Sequence, residues 1–376
     1  MKSLLLKAFN ARPEEFTSIG LMMALGFSIG IFMATYDVAA PALFLAQFED
    51  KNTLAQAILL SGVLSVLSTY LYALLQRKIP FRLLVWFFML LILAATAFVW
   101  FESRAAEANK LMIFGAFVLA LPFSFLSSLI FWGYFGRVFN LKQSKRIIGG
   151  IDTGQLVASI LSLFAIGFVL DNNILITEQL YIGSILGIIG VLVSVTFLNS
   201  LATQSETSVQ KVKAQPFAKI FGNRYTRWMT FFVIISLIAI TFVDYSFLNV
   251  TNIQWTTVAE KGSFLAKFEA TVVIFSFLFQ TFVTDWIIEN YGLKVSLLIN
   301  PALAILLASV ALIVGLVMGA STDAGGNFIW FFLAIAAGKL FIDSLKDALD
   351  GPTFKLYFLP IDREVKFDVT TKVEGV

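Results

Sequence analysis

Runs of about twenty apolar residues recur ten times along the 376-residue chain, and this feature decides what it can fold into. They fall at about 16–48, 53–76, 81–101, 111–136, 148–170, 177–199, 226–255, 264–288, 293–319 and 327–347. Hydrocarbon offers no hydrogen-bond partner, so a spanning segment must satisfy its own backbone groups, which a helix does. An all-α polytopic membrane protein is therefore expected, with the lipid bilayer as its first partner. Composition agrees. Hydrophobic residues make up 59% and charged residues 14%, against roughly 25% charged in a soluble chain. Cysteine and histidine are both absent. That excludes disulfides, thiol nucleophiles, Cys/His zinc sites and Ser-His-Asp triads. No GxxxxGK loop occurs either, so the chain is not a P-loop ATPase. No cofactor, no metal and no nucleic-acid partner is expected. An enzyme would have only carboxylates and lysines to work with, and that reading is the weakest.

Cytoplasmic loops of membrane proteins carry an excess of Lys and Arg. With the N-terminus placed inside, 22 of the 27 basic residues fall in cytoplasmic segments and the sides alternate strictly. The five on the other face are Lys51, Arg104, Lys110, Lys261 and Lys267. Adding or removing one span would scramble this pattern. The first span is long and contains Pro41, which predicts one tilted or kinked helix. Residues 1–15 are read as an interfacial segment, with Met1–Ala11 a short basic amphipathic helix. A bacterial cytoplasmic (inner) membrane is the expected location.

The longest polar connection is the basic stretch 200–224, and six spans precede it. It is predicted to be a cytoplasmic crossover between a six-helix bundle at 16–199 and a second bundle at 225–376. The layout of parallel halves resembles the major facilitator fold. The first helix reads IGIFMATYDVAAPALF and the seventh IISLIAITFVDYSFLN, so each sets one aspartate beside an aromatic residue. Matching halves would need twelve spans, and ten are present. Two further helices, or a longer C-terminal region, are then expected beyond Val376. A ten-span protein with a short tail is the alternative.

Ionisable groups inside spans cost at least ~2.5–3.5 kcal/mol each at a helix centre and so point to function. Asp37 beside Tyr36, and Asp244 beside Tyr245, are the clearest cases. They are either cation, proton or substrate sites facing the interior between the halves, or groups solvated or paired near a helix end. Lys267 and Glu269 open the eighth span, where snorkelling explains them equally well. Lys339, Asp343, Lys346 and Asp350 are spaced four, three and four, which places them on one helix face. That stripe is either structural pairing or part of a charged pathway. Lys145 and Arg146 precede IIGGIDTG, a glycine-rich helix start suited to a phosphate. They serve equally as topology signals, with Gly150 and Gly154 as a helix-packing pair. Gly26 with Gly30, and Gly315 with Gly319, repeat that spacing.

Three segments resemble the ATP/ADP translocase family of plastids and intracellular bacteria, a distant branch of the major facilitator group. The loop after span four carries Ser144, Lys145, Arg146, Ile147 and Ile148 where the family has an Ala-Lys-Arg-Phe-Tyr type motif. The end of the seventh helix, SFLNVTNIQWTT, keeps Asn249 and Trp255 of the family's pattern. The tail DGPTFKLYFLPID keeps Pro352, Thr353, Phe358, Pro360 and Asp362. The resemblance implies twelve spans and a secondary transporter that moves an anionic, phosphorylated or nucleotide-like solute, such as ATP or ADP, by alternating access. It implies that Asn249, Lys145 and Arg146 contact the solute. The half-repeat separately predicts that Lys145 and Arg146, after the fourth span of one half, lie at the cytoplasmic edge near tail residues 350–366, where Asp350, Asp362 and Glu364 offer opposite charge. The chain departs from the family at Phe354, Lys355, Val369, Thr370, Asn252 and Thr256. These departures motivate the alternative, a transport-inactive scaffold or regulatory domain with partner subunits.

Overall fold

The computed structural model describes residues 12, 15–48, 50–76, 78–104, 109–139, 143, 147, 151–202, 222–320 and 327–357. Among these residues, ten helices are long and apolar enough to cross a bilayer, and there is no strand. They are α1 (Phe16–Gln47), α2 (Lys51–Leu75), α3 (Phe81–Ser103), α4 (Lys110–Val138), α5 (Thr153–Asp171), α6 (Leu180–Ala202), α7 (Arg224–Gln254), α8 (Val258–Phe279), α9 (Asp285–Met318) and α10 (Phe328–Leu345). A short α11 (Gly351–Tyr357) follows. The interfacial segment Met1–Ala11, positions 203–221 of the crossover, Lys145, Arg146 and the tail from position 358 lie outside the described residues.

Local chemistry explains several helix ends. Asn109 caps α4 by accepting from the Leu111 N–H at 3.0 Å, and Asn223 caps α7 by accepting from the Tyr225 N–H at 2.9 Å. Helix α8 starts six residues before the expected position 264. Its first turn is polar, so hydropathy misses it, but Thr257 and Glu260 form a reciprocal capping box. The Thr257 N–H donates to Glu260 Oε2 at 3.1 Å, and the Glu260 N–H donates to Thr257 Oγ1 at 3.2 Å. Helix α9 is broken at Gly292, where φ is +77°. Only glycine adopts that conformation cheaply, so the apolar run from 293 is preceded by a separate short helical piece. Pro41 lies within a single continuous α1.

The chain divides into two compact units. Unit 1 comprises Met1–Phe48, Leu59–Val209 and Thr257–Lys267; unit 2 comprises Glu49–Ile58, Gln210–Thr256 and Phe268–Val376. In unit 1, α1 packs on α6, α5 and α4. Glycines set the spacing. A Cβ on Gly30 would lie 2.5 Å from the Gln155 carbonyl oxygen, and one on Gly187 would lie 2.6 Å from the Phe32 nitrogen. A Cβ on Gly154 would run into the Met23 carbonyl. Backbone therefore meets backbone, which only small residues permit. Thr35 and Ser184 share a hydrogen bond of 2.8 Å across the α1–α6 contact. In unit 2, α10 packs on α9 and α7.

Two π-turns interrupt unit 2, at Gln280–Thr284 and Lys346–Asp350. They are in contact, and Thr284 Oγ1 donates to the Ala348 carbonyl at 2.8 Å. A π-turn leaves carbonyls without the usual partner, and here a side chain supplies one.

Candidate functional site

Three spans of unit 2 bring four ionisable side chains together. Lys339, counted above with the cytoplasmic basic residues, lies within α10, the twelfth of its eighteen residues. Its Nζ donates to Asp244 Oδ1 on α7 at 2.5 Å and to Asp343 Oδ2 one turn further along α10. Lys339 and Asp343 side chains are only 12% and 15% exposed, and Asp244 is 37% exposed. Glu269 on α8 is half-buried and lies within electrostatic range of Lys339, Asp343, Asp244 and Asp347. Asp343 Oδ1 is buried without a hydrogen-bond partner. The Phe247 ring lies 6.0 Å from the ammonium. Asp244 and Asp343 thus share one cation, with Glu269 on α8 within electrostatic range. Such a cluster carries surplus negative charge in a low-dielectric setting, so it attracts cations and disfavours anions.

The expected stripe of Lys339, Asp343, Lys346 and Asp350 is not one continuous face. The π-turn at Lys346–Asp350 puts an extra residue into the turn and breaks the register. Lys339 pairs with Asp343. Asp350 instead accepts from Asn300 Nδ2 on α9 at 2.6 Å, and among the described residues no ion pair joins it to Lys346.

The remaining candidates separate. Tyr36 is 1% exposed, donates from its hydroxyl to the Ala116 carbonyl at 3.0 Å, and sits among Phe32, Phe123 and Tyr181. Its side chain is committed to the core of unit 1. Asp37 on α1 and Asn249 on α7 are half-buried. Lys145 and Arg146 lie outside the described residues. No group of three or more carboxylates able to hold a metal ion occurs among the described residues.

A second ionic contact lies in unit 1, where Asp171 at the end of α5 accepts from Lys267 and Ser263 of α8. Both charged side chains are about half exposed, at 45% and 50%. Exposed pairs contribute little. Asp171→Asn is expected to change stability by no more than about 1 kcal/mol, as read from thermal unfolding in detergent. Sequence reasoning missed this pair because its members are 96 positions apart.

Ten apolar helices define an integral membrane protein, and their arrangement is that of a major facilitator fold. Among matching solved structures is the nucleoside transporter NupG. Its D323A mutant superposes with a TM-score of 0.60 at 13% identity, covering 95% of this chain and 88% of that one. A further NupG structure matches with a TM-score of 0.55 at 15% identity, over 94% and 85% of the two chains. No family profile matches the sequence, and no curated protein matches it.

Proposed function

We propose that the chain is a secondary transporter of a small nucleoside-like solute, with the Asp244–Lys339–Asp343 cluster and Glu269 taking part in the transport cycle. The observation that carries this reading is the cluster itself. Buried charges in spans are retained at high cost and mark solute or ion pathways, and this set stands on a fold shared with nucleoside transporters. An uncharged nucleoside presents hydroxyl and base groups that carboxylates can accept from. A phosphate would be repelled by Asp244 and Asp343, which already occupy the single ammonium, and by Glu269 within electrostatic range. Asp37 and Asn249 are the other candidates for solute contact. A phosphorylated solute such as ATP or ADP is the second reading. It rests on the tail residues Pro352 and Thr353 and on Lys145 and Arg146.

Uptake by proteoliposomes carrying the purified chain separates these readings. Saturable entry of labelled uridine or adenosine is the expected result. Flux of ATP and ADP alone would instead support the nucleotide reading. Flux of neither class overturns transport and leaves the scaffold role.

A further inference from the structure

Asp350 poses a problem of its own. It lies four residues before the end of the tenth span, which runs to Phe354. Its side chain makes one hydrogen bond, to the neutral amide of Asn300, and no ion pair among the described residues. Its Oδ1 is buried and unpartnered. Lys346 and Asp347 are within electrostatic range, but the π-turn leaves neither bonded to it. Lys294 and Glu289 of α9 are exposed. A carboxylate withdrawn from water without a cation is costly.

Two more unsatisfied oxygens lie on the same packed elements. Asn300 is 5% exposed, and both amide hydrogens are spent, on Asp350 Oδ2 at 2.6 Å and on the Ile342 carbonyl at 3.3 Å. Its orientation is thereby set, because a flipped amide would turn its oxygen towards two acceptors. Asn300 Oδ1 is then left buried with no donor. Thr353, on the turn of α11 that follows Asp350, is fully buried, and its Oγ1 is likewise unpartnered. Asn300 is bonded to Asp350, Thr353 follows Asp350 by three residues, and α9 packs against both the π-turn and α11. Buried polar atoms are ordinarily satisfied, and a group of orphaned acceptors calls for a missing donor or cation.

We propose that Asn300, Asp350 and Thr353 form a binding site for a sodium ion. All three free atoms are oxygens, which suits a hard cation, and one carboxylate with two neutral oxygens matches a single positive charge. The ion would neutralise Asp350 and tie α9 to the segment beyond α10. Cation binding at this site does not depend on which solute the protein carries.

The test measures binding, not flux, so its outcome is separable from that of the uptake experiment. The full chain, purified in detergent, is assayed for binding of radioactive sodium and for thermal stability in sodium, potassium and N-methylglucamine chlorides at fixed ionic strength. Saturable sodium binding with sodium-selective stabilisation is expected. Asp350→Asn and Thr353→Val should each lower sodium affinity by about tenfold or more, as for loss of one contact to a charged partner. Thr353→Ser, which keeps the hydroxyl, should retain binding. If Asp350→Asn does not fold, the Val and Ser pair at Thr353 and the salt series still decide the matter. Equal stability in all three salts overturns the proposal. So does a response to pH alone, which would assign Asp350 a proton, and so does sodium binding that survives Thr353→Val.

Discussion

Lys339→Ala is expected to destabilise the protein by about 3–5 kcal/mol, the range for removing one partner of a buried ion pair. The lysine is the shared donor for Asp244 and Asp343, and its side chain is 12% exposed. Its loss leaves two carboxylates, with Glu269 nearby, facing each other without compensation. Most of the effect is the cost of that orphaned charge and not the worth of the contact. The triple variant Lys339→Met, Asp244→Asn, Asp343→Asn should therefore recover most of the lost stability, because neutral replacement of a buried ionic group is often close to neutral. It should not recover solute uptake if the cluster takes part in transport. Thermal unfolding in detergent reads the first effect and proteoliposome uptake the second. A single variant as stable as the wild type would contradict the burial argument. A triple variant that transports normally would confine the cluster to structure.

Gly154→Val should be at least as damaging, with a loss of about 3 kcal/mol or more, at the upper end of overpacking costs. A Cβ at this position meets the Met23 carbonyl, and backbone cannot rotate away as a side chain can. The helices α1 and α5 would have to separate, and with them the contacts around Ala158 and Gln155. Gly30→Val and Gly187→Val should behave alike, since each also aims at backbone. Gly62→Ala supplies the control: nothing lies within 4 Å of a Cβ there. It should be neutral or stabilising by up to about 1 kcal/mol, the helix-propensity difference. Free-energy changes from unfolding titrations of the purified proteins would rank the four. Equal effects at Gly62 and Gly154 would refute the packing account.

The span count was legible because hydrocarbon thickness imposes a length that composition cannot hide. The GxxxG pair Gly26 and Gly30 was legible as a packing signal for the same reason, since small residues at helical spacing have few other uses in a membrane. Helix α8 was misplaced at its start because Thr257 and Glu260 are polar, although their capping-box spacing was available to read. The surroundings of Lys339 were not legible, because linear counting groups a cation near the end of an apolar run with the next loop. Only the fold reveals Asp244 beside it, 95 positions earlier. Asn300 is a single amide inside LLINPALAILL, and nothing in the local sequence points to its partners. Tyr36 shows the opposite case. Adjacency to Asp37 suggested a shared site, yet neighbours along a helix point about 100° apart, and the ring turns into the core.

The π-turn at Lys346–Asp350 also acts as a phase adjuster. Straightened to an ordinary helical turn with all its residues kept, it would rotate everything downstream by about 100°. The chemistry at Lys339 and Asp343 would be untouched, whereas Asp350 and Thr353 would swing away from Asn300 as a block. The angular setting of the last described helix is therefore carried by a single surplus residue. Straightening of this turn, not a substitution at either centre, is the change that would uncouple the two polar centres of this unit.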